Sequence, residues 1–246
     1  MYKGMVEFAA PVFDGTITFA STEFDASWQP GARLQLACPD ATTIVGTVWV
    51  TGVPSEGVVI PQAQTLFEDV LSRMAYSLEL AIGRSTIASS QVEPMVPPCG
   101  NIPYAGTGYL RFTGYAPSVR RSIQPDQVRQ ALDVQAPLGE ASYSQFRSAR
   151  LSAGGVEEFM SLYRILMELV GDEQRKVDMF VRSVEPTVAH APSPHRTTQS
   201  ETLYTRLRNE LAHKRPGINI EATRQGMLQS LGNLRRIVRE AIAQFG

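Results

Sequence analysis

Residues 200–217 read SETLYTRLRNELAHKRPG, and the order of their apolar and polar side chains decides how the second half of the chain is interpreted. The spacing of the apolar residues predicts an α-helix from Ser200 to about Lys214. Pro216 and Gly217 then stop the helix, because proline cannot continue it and glycine readily ends it. One side of this helix is expected to be buried, and it carries Leu203, Tyr204, Leu207 and Leu211.

The same helix carries three polar side chains that are expected to form an outward-facing ridge. An α-helix advances by about 100° per residue, so Asn209 and His213, which are four residues apart, share a face. Arg208 lies about 140° around the axis from His213 and about 7.5 Å along it, a gap that a long arginine side chain can span.

The residue types of this ridge suit the cleavage of phosphodiester bonds in RNA. A histidine titrates near neutral pH, so His213 can take a proton from a ribose 2′-OH or give one to the leaving oxygen, typically for a gain of roughly 10²–10⁴-fold. Arg208 can hold phosphate oxygens through two parallel hydrogen bonds, and Asn209 can orient the imidazole or the phosphate. The basic residues Arg206, Lys214 and Arg215 are expected to contact the RNA backbone.

The rest of the second half predicts three more helices. Because four helices with apolar stripes can bury them only against one another, we expect a small four-helix bundle over residues 151–246. The turn-forming residues 152–155 mark its boundary. The first of these helices is expected over 156–170 and ends at Gly171. The second runs from an N-cap at Asp172 to about Val184, and a loop follows over 186–198. The last helix is expected over 228–245.

The first half, residues 1–150, is expected to be rich in β-strands, which makes the chain α+β. Short segments with β-branched and aromatic residues alternate there with turn signals such as Asp14-Gly15. Residues 62–82 break the pattern with helical spacing, and Gly83 is a plausible stop for one long helix. The expected strands cover 4–13, 16–19, 33–37, 43–51, 86–96 and 109–113, a short helix covers 126–132, and the remainder of 117–149 is expected to be loop.

Composition and charge exclude several classes of protein. The 246 residues are 43% hydrophobic and 19% charged, as in ordinary soluble globular proteins, and the net charge is −1. Residues 1–150 hold 10 Lys and Arg against 13 Asp and Glu, and residues 151–246 hold 13 against 11, so neither half is a strong polyanion binder by charge alone. Cys38 and Cys99 have no disulfide-framework or metal-ligand spacing. With no signal peptide and no membrane-spanning run, we expect a cytoplasmic protein.

The run from Arg208 to His213 resembles the signature of the HEPN ribonucleases, in which an arginine and a histidine lie near the end of the third helix. Asn, Asp or His is favoured directly after the arginine in that family, and Asn209 is in that place. The flanking segments, 204–208 and 214–217, are similar to the branch found in MauJ-like proteins. The resemblance covers about residues 151–246.

This resemblance implies a metal-independent endoribonuclease without a cofactor, with Arg208, Asn209 and His213 as its catalytic residues. It implies a homodimer in which both motifs line one cleft, and cleavage that leaves a 2′,3′-cyclic phosphate. It also implies a role in antiviral defence or stress. Toxin-type members often have Tyr two residues after the motif histidine, and Arg215 in that place makes their control by tyrosine modification doubtful here.

Two other functions remain open from the sequence. One is a non-catalytic HEPN module that binds RNA or a nucleotide without cutting it. The other is an accessory protein whose helices serve dimerisation or interaction. In each case the N-terminal part is expected to be a sensing or specificity module that binds a regulatory protein or ligand.

Several other features favour plain structural interpretations. His190 and His195 lie in a proline-rich stretch with no third ligand nearby, which favours a solvated loop over a metal site. Residues 106–109 lack the third glycine and the following helix of a nucleotide-binding loop. The last helix carries basic residues that suit a helix C-terminus better than an RNA groove, and these are Arg235, Arg236 and Arg239.

Overall fold

The computed structural model describes residues 1–14, 16–19, 22–25, 31–95, 120–132, 140–193, 200–213 and 217–246. The chain divides into two units, Met1–Gln135 and Ala136–Gly246. The first unit holds the strands of the main sheet, and the second is mostly helical, so the predicted α+β class is confirmed. In the parts of the chain that the structure describes, no helix is both long and apolar enough to cross a membrane.

The first unit is built on a five-stranded sheet with the strand order β3-β4-β5-β1-β6. All of its neighbouring strands pair antiparallel, and a separate pair, β2 and β7, is parallel. The elements of this unit are β1 (Tyr2–Pro11), β2 (Thr16–Thr18), β3 (Thr22–Asp25), β4 (Ala32–Ala37), β5 (Thr43–Val53), α1 (Glu56–Leu78), β6 (Thr86–Pro94), β7 (Arg120–Ser122) and α2 (Pro125–Leu132).

The core of this unit lies between one face of the sheet and the apolar side of α1. In the β1–β5 pair, Phe8 is opposite Gly46, and the ring of Phe67 from α1 stacks on Phe8 with 5.0 Å between centroids. Alternate strand residues such as Val6 and Val48 are fully buried on the same face. The period-2 pattern of the strands and the helical pattern of α1 therefore meet in one core.

The second unit consists of helices that share a core, together with a small hairpin. Its elements are α3 (Glu140–Arg150), α4 (Gly155–Val170), α5 (Gln174–Val184), β8 (His190–Pro192), β9 (Ser200–Thr202), α6 (Leu203–His213) and α7 (Ile220–Phe245). Strands β8 and β9 pair antiparallel. Aromatic and aliphatic side chains of the helices are buried together, among them Phe146, Phe159, Tyr163, Val181, Tyr204 and Leu234.

Several expected elements differ in the structure. The division between the units precedes α3, which lies in a stretch expected to be loop, so the described part of the second unit has five helices and not four. Residues 200–202 form a strand, so the motif helix begins at Leu203. Asp172 is not an N-cap, because it has a left-handed φ of 55° and α5 begins after Glu173. Helix α1 begins earlier than expected and ends at a left-handed Glu79, before Gly83. The strand expected over 109–113 lies outside the described residues.

Candidate functional site

The start of α6 is held by a buried carboxylate that comes from α5. Asp178 Oδ1 accepts hydrogen bonds from the Thr202 amide (2.8 Å), the Thr202 hydroxyl (2.7 Å) and the Thr205 hydroxyl (2.7 Å). The positive end of the helix dipole also favours a negative group there. Since Thr202 and Thr205 are fully buried, this contact fixes the first turn of the helix that carries the motif.

Arg208 is half-buried, and it is held by an amide and an aromatic ring. Its Nη1 donates to Asn209 Oδ1 at 2.9 Å, and its guanidinium carbon lies 5.9 Å from the centroid of the Tyr163 ring. Among the residues that the structure describes, no carboxylate pairs with Arg208, whose guanidinium has five N–H donors. None of its nitrogens is buried without a partner, so the unused donors remain open to a ligand.

Tyr163 is fixed at its other end by Thr205, the residue whose hydroxyl Asp178 holds. Its hydroxyl lies 2.9 Å from Thr205 Oγ1, and because the one proton of Thr205 goes to Asp178, Tyr163 is the donor. Burial raises the pKa of Tyr163 to about 12, the charge of Asp178 adds to this, and the charge of Arg208 opposes it. The ring below Arg208 therefore stays neutral over the physiological range of pH.

Helix geometry alone predicts that Asn209 is part of an outward-facing ridge, and this prediction is wrong. It is only 4% exposed and lies inside the bundle. Its Nδ2 donates to Gln174 Oε1 (3.0 Å) and to Glu201 Oε1 (3.3 Å), while its oxygen accepts from Arg208. Helix α5 supplies one of these partners, Gln174, and strand β9 supplies the other, Glu201, which makes the burial possible because buried amides need hydrogen bonds. The structure thus brings Asn209 together with Arg208.

His213 is the last residue of α6 and is exposed to solvent. No hydrogen bond or ion pair of its ring occurs among the described residues. An accessible imidazole of this kind can exchange protons with a ligand or with water. Residues 214–216, which follow it, lie outside the described part of the chain, and these include the expected RNA contacts Lys214 and Arg215.

A groove of about 530 Å³ runs beside Arg208. Residues from successive turns of α4 line it, together with Asp172. Its volume is in the range of small-molecule sites and would accommodate part of a nucleotide chain. Besides Arg208 and Tyr163, it is lined by Met160, Ser161, Arg164, Met167 and Glu168, so it has apolar surface together with both signs of charge.

The third expected RNA contact, Arg206, points to a different part of the surface. It lines a cavity of about 580 Å³ between α6 and the start of α7, which has none of Arg208, Asn209 and His213 among its lining residues. Its Nε lies 3.6 Å from Glu210 Oε1. Arg206 is therefore separated from the groove beside Arg208 and is partly neutralised.

The basic residues Arg235, Arg236 and Arg239 do not lie in the last turn of α7, and two of them pair with carboxylates from outside this helix. Arg235 forms a two-pronged ion pair with buried Glu158, with its Nε 2.7 Å from Oε1 and its Nη2 2.8 Å from Oε2. Arg236 lies 3.5 Å from Glu185. His190 is exposed on β8, His195 lies outside the described residues, and no metal-binding group of three His, Cys, Asp or Glu occurs in the described ranges.

Three partners of the site could not be found from the sequence motif. Tyr163, Asp178 and Glu201 come from α4, α5 and β9, and only the folded bundle brings them to α6. The apolar spacing of α4 marked Tyr163 as a core residue, which it is, without revealing its contact with Arg208. Comparison with known proteins adds no assignment, because no family model, curated protein or solved structure matches the chain.

Proposed function

We propose that the second unit is a HEPN-type domain and that the protein is a metal-independent endoribonuclease. The observation that supports this most directly is the environment of Arg208, meaning its hydrogen-bond partners and its position at the groove. An arginine without a carboxylate partner among the described residues, held over a tyrosine ring at the edge of a groove, is ready to receive an anion. Arg208 would hold the scissile phosphate through the donors that Asn209 leaves unused.

His213 would transfer the protons in this reaction. A ribose 2′-OH attacks the adjacent phosphorus, the bond to the 5′-oxygen breaks, and the proton of the 2′-OH must be taken up while the leaving oxygen gains one. The exposed ring of His213 at the end of the same helix supports this role. The products are a 2′,3′-cyclic phosphate and a 5′-hydroxyl.

One chain would supply half of the catalytic arrangement. By the resemblance to HEPN proteins, two copies pair so that both motifs line one cleft. We place the protein in the cytoplasm and propose a role in defence or stress, with the first unit as the sensor of a trigger.

Cleavage of labelled RNA in the presence of EDTA tests the proposal. We expect Arg208→Ala and His213→Ala each to reduce the rate by about 10² or more. Replacing the ribose at the cleaved position with 2′-deoxyribose should block the reaction, and mass spectrometry should find the cyclic phosphate.

Two control variants remove a histidine or an arginine that lies outside the proposed site. His190→Ala removes an exposed histidine of the hairpin, and Arg224→Ala removes an exposed arginine of α7, so both should cut RNA at the wild-type rate. Cutting that persists in both Arg208→Ala and His213→Ala would rule out the assignment.

A second function is favoured by one observation, namely that no described residue orients the ring of His213. A binding module needs Arg208 and the groove but no aligned acid or base. Such a protein would bind RNA in a salt-dependent way and lose affinity in Arg208→Ala, yet release no fragments and be insensitive to His213→Ala.

A further inference from the structure

Glu201 lies at the centre of the polar partners of the motif. It is 2% exposed, in the middle of β9, where it pairs with Ala191 of β8. Its Oε1 accepts from Ser193 Oγ at 2.9 Å and from Asn209 Nδ2 at 3.3 Å, and Gln174 Nε2 lies at 3.5 Å. The hairpin thus holds one carboxylate oxygen against the motif helix.

The two charged neighbours of Asn209 fix the orientation of its amide. The amide has a donating nitrogen at one end and an accepting oxygen at the other. Glu201 accepts at the nitrogen end, and Arg208 donates at the oxygen end. If the amide were turned over, its oxygen would face a carboxylate and its nitrogen a guanidinium, and both contacts would become repulsive. The dipole of the amide is therefore aligned between a negative and a positive charge.

Without Glu201, this orientation would be selected by Arg208 alone, whose half-buried side chain can turn away from the amide. Gln174 would remain beside Asn209, but a glutamine amide can offer either a donor or an acceptor, so it accommodates both orientations of its neighbour. To keep Asn209 Oδ1 facing the place of Arg208 wherever the guanidinium lies, the nitrogen end of the amide needs an acceptor that cannot donate. The structure meets this requirement with a residue of the β8–β9 hairpin.

We infer that Glu201 is a positioning residue: through Asn209 it holds the guanidinium of Arg208 in the orientation in which it receives the scissile phosphate. This inference rests on the proposed function for its catalytic consequence, while the positioning itself concerns only the folded protein. It gives the β8–β9 hairpin a part in the site that the sequence motif does not contain.

Crystal structures of the full-length variants test the positioning directly, whether or not the protein cuts RNA. In Glu201→Ala we expect the contact between Arg208 Nη1 and Asn209 Oδ1, 2.9 Å in the native protein, to be lost. The control Glu185→Gln removes a carboxylate that accepts the Tyr204 hydroxyl in the same bundle, and it should leave that contact in place. An unchanged contact in Glu201→Ala would overturn the inference.

Kinetics give a second measurement that a merely structural role would not produce. We expect Glu201→Ala to lower kcat by about 10²-fold, the size of effect expected from a misplaced catalytic group, with a smaller change in KM. In the Asn209→Ala background the same change should have little further effect, because Glu201 acts through Asn209. Additive losses would contradict the inference.

An exchange of hydrogen-bonding partners covers the case in which Glu201→Ala does not fold. Asn209→Asp should place two acceptors against each other and lower activity. Combining it with Glu201→Gln should restore part of the rate, because glutamine can donate where glutamate cannot. Loss of the rescue would count against positioning by Glu201. If the wild-type protein cuts no RNA at all, the ribonuclease proposal fails, and the crystal structures still decide the role of Glu201.

Discussion

At the scale of single residues, Tyr163 has two contacts at opposite ends of its side chain. Its ring lies below Arg208, and its hydroxyl donates to Thr205 inside the bundle. A hydrophobic residue would provide the first contact and a polar residue the second, but an aromatic ring with a hydroxyl provides both. The residue is 2% exposed, so its ionisation is coupled to folding.

This coupling predicts a pH dependence of stability. Burial raises the pKa of Tyr163 to about 12, so the folded protein keeps the proton in a range where the unfolded chain, with a tyrosine pKa of about 10, has lost it. Stability is therefore fully present below pH 10 and is lost as the pH rises towards 12, by about 2–3 kcal/mol for this residue. Urea titrations at pH 8, 10 and 11 should show a smaller loss in Tyr163→Phe than in wild type. If the free energy of unfolding fell equally with pH in wild type and in Tyr163→Phe, the pKa of Tyr163 would not be raised by folding.

The motif residues also show which part of a site a sequence can predict. The identities and order of Arg208 and His213 were sufficient to propose the chemistry. The burial of Asn209 was not predictable, because the apolar residues of α6 mark only one buried side and Asn209 lies away from it. Asn209 is buried against the polar side chains of Glu201 and Gln174, which reach it only after the bundle forms.

At the scale of elements, one buried carboxylate joins three helices of the second unit. Glu158 of α4 accepts from Arg150 of α3 at 2.8 Å and from Arg235 of α7. The side chains of Glu158 and Arg150 are 8% and 6% exposed. Removing one partner of a buried ion pair is costly, because the remaining charge has no water to solvate it.

We therefore predict that Glu158→Gln lowers the free energy of unfolding by about 3 kcal/mol or more. Urea unfolding followed by circular dichroism measures this. The neighbouring Glu157 is exposed on the same helix, so Glu157→Gln should change stability by less than about 0.5 kcal/mol. Similar values for the two variants would show that the ion-pair network contributes little.

Gly46 gives a matching prediction for the sheet of the first unit. A Cβ at this position would lie 2.0 Å from Cε2 of Phe67, a buried ring that also stacks on Phe8. Gly46→Ala should therefore destabilise the protein by about 1–3 kcal/mol. Gly57 in the first turn of α1 has no atom within 4 Å of the added carbon, so Gly57→Ala should be neutral or slightly stabilising. The melting temperature of Gly46→Ala should be lower than that of wild type, and that of Gly57→Ala should be equal or slightly higher. Equal shifts of the two melting temperatures would contradict the packing argument.

Elements with strong patterns were predictable, and those that depend on tertiary contacts were not. The apolar face of α4 and its end at Gly171 follow from the sequence, because glycine adopts the left-handed φ of 103° found there. Helix α3 has no clear apolar stripe in the sequence, because its buried side combines the apolar residues Tyr143, Phe146 and Ala149 with the polar residues Ser142 and Arg147. Strand β9 is a three-residue segment that exists only because β8 pairs with it.

At the scale of the whole molecule, the proposed activity depends on whether two copies of the chain form a dimer. A single second unit has one Arg208 and one His213 on one helix, and the HEPN resemblance requires two such motifs in one cleft. The protein would therefore be active only as a dimer, and its affinity for itself would set the concentration at which RNA is cut.

Activity per molecule should accordingly fall on dilution, in parallel with the dimer fraction measured by sedimentation. The fall should begin at the dissociation constant of the dimer. An activity per molecule that stays constant from fully dimeric to fully monomeric protein would show that one chain contains a complete site.

The capping of α6 by Asp178 bears on when the motif takes shape during synthesis. Helix α6 has 11 residues, a length at which an isolated helix is marginal in water, and its first turn is anchored by a carboxylate from another helix. Arg208 and His213 would then acquire a fixed spacing only after α5 has docked. If the protein is the ribonuclease proposed above, a nascent chain with the motif still unstructured would not cut RNA, and the ribosome that makes the protein would be spared until α5 and α6 have packed together.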